Sequence, residues 1–139
     1  MSDPRDPSPG PRRRSLIIAD DDPVVLVMLS RQLSEWFELV GFAADADEAI
    51  ALAEAEQPDA AIIDVEMPGG GGLRATLAIR ARAPRTAIVI LSGDEQHESV
   101  LRLLSAGAVC YARKGFPADE LAAKVSDSID AHARALCAS

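Results

Sequence analysis

Asp20, Asp21 and Asp22 form one acidic run, Asp64 stands in a second segment, Ser92 in a third and Lys114 in a fourth. Carboxylates brought close together repel, and at least one is pushed toward its protonated form unless a cation relieves the repulsion. Aspartates with backbone carbonyls and water make an oxygen-only ligand set, which suits Mg²⁺. No His or Cys accompanies them, so zinc is disfavoured. With Mg²⁺ bound, such a set complements a phosphoryl group. The metal and Lys114 neutralise its oxygens, the Ser92 hydroxyl donates a hydrogen bond, and Asp64 serves as the nucleophile that becomes an acyl phosphate. Each residue alone has a plain structural use. Asp20–Asp22 could cap a helix, Asp64 and Ser92-Gly93 could make turns, Lys114 could be a solvated charge, and Tyr111 could be packing. The joint occurrence carries the case.

Something must bring these residues together. From Ser15 the chain alternates between short β-rich apolar runs and stretches of helical spacing. The strands are expected at Leu16–Ala19, Leu39–Ala43, Ala60–Asp64, Thr86–Leu91 and Ala108–Ala112. A first helix should start at Pro23 behind an Asp22 cap, with Leu26, Leu29, Leu33 and Phe37 inward. Asp47 is expected to cap a second helix that buries Ile50 and Ala53. A third is expected from Leu73 to Ala81 with Leu77 inward. Asp94 should cap a fourth, with Val100, Leu103 and Leu104 inward and Gly107 at its end. A fifth starts near Pro117 and buries Leu121, Val125, Ile129 and Leu136. His97 and His132 fall in helices and are read as solvent-facing. Five strands alternating with five helices imply an α/β fold, a doubly wound (βα)5 parallel sheet. In such folds ligands sit beyond the carboxyl ends of the strands. The acidic run, Asp64, Ser92 and Lys114 all follow or close strands, so one sheet edge gathers them.

Composition sets the outer bounds. The chain has 139 residues, 48% hydrophobic and 26% charged, which fits one soluble domain. The longest uninterrupted apolar stretch, Val24–Leu29, is far short of the roughly 20 residues of a membrane span. No apolar leader is evident at the N-terminus, and Cys110 and Cys137 read as reduced thiols, so a cytoplasmic location is expected. Residues 1–14 hold four of the nine prolines and Arg5, Arg12, Arg13 and Arg14, and read as a disordered tail ahead of a domain spanning residues 15–139. The net charge of −8 is concentrated beyond that tail, which disfavours direct nucleic-acid binding and suits a cation or a basic protein partner.

From Ser15 to Ala133 the sequence resembles a receiver domain of bacterial two-component response regulators. LIIADDDP is similar to that family's first strand and acidic pair, and AAIIDVEMPGGGGL to its phosphoacceptor segment. IVILSG matches the strand ending in Ser or Thr before a small residue. GAVCYARKG matches the segment with an aromatic residue three before the lysine. The resemblance implies a flavodoxin-like receiver fold with strand order 2-1-3-4-5. It implies that Asp64 accepts a phosphoryl group from a sensor histidine kinase or a histidine phosphotransfer protein. Asp21 would hold Mg²⁺ directly, Asp20 through water, and the Glu66 backbone carbonyl would complete the ligands. Ser92 would sense the phosphoryl group, Tyr111 would turn inward, and Lys114 would pair with the phosphate. The output would be a change in the face formed by the fourth helix, fifth strand and fifth helix, a possible homodimer surface.

The chain is therefore read as a switch that promotes its own phosphorylation and dephosphorylation, and not as a metabolic enzyme. Glu66 and Asp94 should flank the entrance to Asp64, either as solvated loop acids or as groups tuning attack by water. Gly115 follows Lys114 where many receivers have proline, so no cis bond is expected there. Gly69–Gly72 are expected to make a pliable loop. One rival class is a haloacid-dehalogenase-like phosphatase, with Asp20 as nucleophile and Asp22 as general acid. It leaves Asp64 unexplained and lacks a further acidic pair after the lysine. A docking module that is never phosphorylated is the other rival. The sequence leaves the cognate kinase, output and oligomeric state open.

Overall fold

The computed structural model describes residues 13–69, 71–93 and 97–138. Five parallel strands form one sheet: β1 (Ser15–Ala19), β2 (Glu38–Ala43), β3 (Ala60–Asp64), β4 (Ala87–Ser92) and β5 (Cys110–Arg113). Their order is β2-β1-β3-β4-β5. The central strands β3 and β4 are buried along their whole length, as their apolar runs AAII and AIVIL require. The edge strands β2 and β5 are mixed.

The strand pleat divides the interior in two. On one face Ile17, Ala19, Ile63, Ile88 and Ile90 pack against helices α2 (Ala46–Glu56), α3 (Gly71–Arg82) and α4 (His97–Ala106). On the other Leu16, Ile18, Ile62, Val89 and Leu91 pack against α1 (Pro23–Leu33) and α5 (Ala118–Ala138).

Helix α1 begins as expected: Pro23 takes the first position and Asp22 accepts a hydrogen bond from the Val24 amide at 2.9 Å. Leu29 and Leu33 are buried, but the helix stops at Leu33, so Phe37 is buried from the following turn. Helix α2 is capped by Asp45, not Asp47. Asp45 accepts from the Glu48 amide at 2.8 Å while Glu48 accepts from the Ala44 amide at 2.8 Å, an exchange that only this register permits. Helix α3 begins earlier than expected, and its phase turns Leu77 outward, 53% exposed, with Ala75, Thr76 and Ile79 inward. Small inward residues let α3 sit close between its neighbours.

Val100 and Leu103 of α4 are buried, and Gly107 follows with a φ of 123°. The expected Asp94 cap lies outside the described residues. Along α5, Leu121 and Val125 are buried and Ile129 half-buried, whereas Leu136 is exposed. His132 is not solvent-facing: it is buried, with Nε2 2.8 Å from the Pro84 carbonyl. A helix that crosses a whole sheet face extends its inward stripe past the strands, onto the turn before β4. The expected tail lies mostly outside the described residues. Arg14 pairs with Asp130 of α5 at 2.7 Å, and Arg13 donates to the Glu35 carbonyl at 2.6 Å.

Candidate functional site

The carboxyl ends of β1, β3, β4 and β5 share one edge, because all five strands run the same way. Asp20 immediately follows β1, and its amide donates to the Ala43 carbonyl at 3.0 Å. Its side chain is fully buried, and Oδ1 accepts from the Asp22 amide at 2.9 Å. Asp64 ends β3 and is 5% exposed, and Ser92 ends β4 and is 3% exposed. Lys114 follows β5, its amide donating to the Ser92 carbonyl at 2.8 Å. Its Nζ lies 3.2 Å from Asp20 Oδ2 and 3.3 Å from Asp64 Oδ1, bridging the two carboxylates. Gly93 helps to place that side chain: a Cβ there would lie 3.3 Å from Lys114 Cδ.

Asp21, Asp64, Val65, Glu66, Ser92, Gly93 and Lys114 line an open cleft of about 230 Å³. Asp20, Asp21 and Asp64 each offer an oxygen, and these atoms all lie within 4.8 Å of one another. The donor set is hard, anionic and oxygen-only, so it fits a hard divalent cation. Burial pushes Asp64 up to about 6, and the neighbouring Asp20 adds to the rise while Lys114 opposes it. Burial pulls Lys114 down, but Asp64 and Asp20 outweigh it and hold the ammonium above its ordinary value. The cleft thus carries more negative charge than one lysine neutralises.

Asp20, Asp21, Asp64, Glu66, Ser92 and Lys114 meet here, as anticipated. Asp22 is spent on the Val24 amide, which leaves it outside the cleft lining. Tyr111 is 42% exposed on the edge strand and is not among the cleft residues. Asp94 lies outside the described residues. Among the described residues there is no cis peptide bond, in line with glycine after Lys114.

Of the glycine run, Gly70 lies outside the described residues, and the last two members belong to a helix. Gly71 and Gly72 form the first turn of α3, and a Cβ on Gly72 would lie 2.7 Å from the Asp64 carbonyl oxygen and 2.9 Å from Leu103. Gly72 is there for close approach. Gly72 was the piece of the site hardest to read in sequence, since it lies eight residues beyond Asp64 and only packing shows its use.

The sequence matches the family described as response regulator receiver domain over residues 16–126. It is 38% identical over 111 residues to the transcriptional regulatory protein PdtaR of Mycobacterium tuberculosis, covering 78% of this chain and 53% of that protein. It is 32% identical to the response regulator GacA of Pseudomonas aeruginosa, covering 76% and 50%. The chain spans about half the length of these relatives. Similar structures include a LuxR-family two-component response regulator from an Aurantimonas species, with a TM-score of 0.80 and 28% identity, covering 86% of this chain and 87% of that one. A CheY-like receiver domain protein from Methanospirillum hungatei gives a TM-score of 0.81 at 25% identity, covering 88% and 98%. The chain belongs to the family of response regulator receiver domains, with the flavodoxin-like order expected of it. Among the described residues no helix is long and apolar enough to cross a membrane.

Proposed function

We propose that this receiver domain is a phosphorylation-dependent switch of a two-component system, with Asp64 as the phosphoacceptor. The observation that carries the reading is the Lys114 ammonium set between Asp20 and Asp64 at the mouth of an acidic cleft. Asp20, Asp21, Asp64 and the Glu66 backbone carbonyl would hold Mg²⁺, which supplies charge neutralisation for the phosphoryl oxygens.

The chain's own residues do the rest. An Asp64 carboxylate oxygen attacks the phosphorus of a phosphohistidine. The O–P bond forms as the N–P bond breaks, and the imidazole leaves with its proton taken from water. Lys114 pairs with one phosphoryl oxygen and the Ser92 hydroxyl donates to another. Glu66, exposed at the cleft wall, tunes the later attack of water that returns Asp64 to its free form, a role shared with Asp94. The chain is a switch that assists its own phosphorylation and hydrolysis, and not a metabolic enzyme.

Shifting a two-state equilibrium from 1:99 to 99:1 takes about 5.5 kcal/mol, whereas one hydrogen bond to a charged group gives about 1.5–3 kcal/mol. Ser92 therefore acts together with Lys114, the metal and loop amides. Tyr111, exposed on β5, turns inward in the phosphorylated state and remodels the α4–β5–α5 face, which controls an output domain or partner or pairs with a second copy. The phosphodonor is a sensor histidine kinase or a histidine phosphotransfer protein in the cytoplasm. The acidic surface makes nucleic acid and membrane poor direct partners.

Incubation with acetyl phosphate and Mg²⁺, followed by intact mass and site mapping, tests the reading. One phosphoryl group on Asp64 is expected, and it should be absent when Mg²⁺ is chelated. A phosphoryl group on Asp20, or an unmodified protein, would overturn it.

A further inference from the structure

The segment between β3 and α3 carries the Glu66 carbonyl, and within it Gly69 takes a φ of 83°, a conformation that only glycine adopts without strain. Its near half is tied to the sheet and to α3: the Val65 amide donates to the Leu91 carbonyl at 3.2 Å, and the Gly72 amide of α3 to the Val65 carbonyl at 2.9 Å. Its far half is tied to α2 instead. The Ala46 amide donates to the Pro68 carbonyl at 3.0 Å. Arg74 supplies the second tie. One guanidinium nitrogen, Nη1, donates to the Gly69 carbonyl at 2.8 Å and pairs with Asp47 of α2 at 2.6 Å. The two hydrogens on that nitrogen thus serve one acceptor on the loop and one on the neighbouring helix.

This side chain is half-exposed and Asp47 more so, so the pair contributes little to stability. Its effect is geometric, because Glu66 lies between the tied points at Val65 and at Pro68–Gly69. We propose that Arg74 is a positioning residue for divalent-cation binding: by clamping the loop to α2 it fixes the backbone carbonyl that completes the metal site. The inference rests on the Mg²⁺ site of the proposed function and deepens it.

The sign of the effect separates positioning from charge. Removing a cation near a metal site should tighten Mg²⁺ binding on electrostatic grounds. Losing the clamp should weaken it, because a mobile ligand must be ordered on binding. The test is a Mg²⁺ titration of the unphosphorylated protein, followed by amide NMR shifts of Asp64 and Val65. Arg74→Ala should raise the Mg²⁺ dissociation constant about three- to tenfold, less than the 10–100-fold typical of partners that touch a metal ligand. Arg82→Ala removes an equal charge from the same helix, where the contact is a 3.6 Å pair with Glu54, and should leave the constant within about twofold. Unchanged or tighter binding in Arg74→Ala, with wild type binding normally, overturns the clamp alone. Failure of the wild type to bind Mg²⁺ overturns the metal reading beneath it as well.

Discussion

Asp64 is a buried carboxyl held at about 6 against an ordinary 3.8, and this makes it costly to keep ionised. Between those two values the native state keeps a proton that the unfolded chain has released. Stability therefore falls as pH rises through that window, by up to about 3 kcal/mol in the absence of metal. Asp64→Asn, neutral and of the same shape, should raise the urea midpoint of the metal-free protein near neutral pH. The advantage should vanish near pH ~4, where the wild-type carboxyl is also neutral. Mg²⁺ should narrow the gap from the wild-type side. A denaturation series against pH, with and without Mg²⁺, measures all of this. Asp64, the acidic pair Asp20–Asp21 and Lys114 were legible in sequence because each adjoins a β-rich apolar run and parallel strands bring such positions to one edge. Asp45 and His132 were not. Choosing between Asp45 and Asp47 depends on which register lets Glu48 reciprocate, and burial of His132 depends on how far α5 reaches over the Pro84 turn.

At the scale of elements, the glycine run has a packing role that spacing alone did not disclose. Gly72 brings the first turn of α3 against the Asp64 carbonyl and Leu103, and both obstacles are close to a would-be Cβ. Because the nearer one is backbone, it cannot swing aside. Gly72→Ala should cost about 1–3 kcal/mol and displace the segment bearing Glu66. Chemical denaturation checks the first expectation, and a weakened Mg²⁺ response checks the second. Gly41→Ala is the useful contrast, since its obstacle is the end of the Leu52 side chain, which can rotate. The expected strands agree with the observed ones to within one or two residues, because strand burial is written in local composition. Helix phase was less legible. Leu77 faces out because α3 lies between α2 and α4 and offers them alanine, threonine and isoleucine, a choice made by neighbours and not by hydrophobicity.

For the whole molecule, the decisive feature is a sheet with an apolar layer on each side. Side chains that are adjacent in a strand belong to opposite layers, so Ile79 and Leu33 share no packing partners across the sheet. Ile79→Val and Leu33→Ala should then be additive in stability to within about 0.5 kcal/mol, as a double-mutant cycle by urea denaturation would measure. The interior thus consists of two rooms with a common wall, and each can be refurnished without consulting the other. At the rim where Asp20, Asp64 and Lys114 meet, tenants of both rooms depend on one arrangement. A disturbance arising in either has there a route to the other.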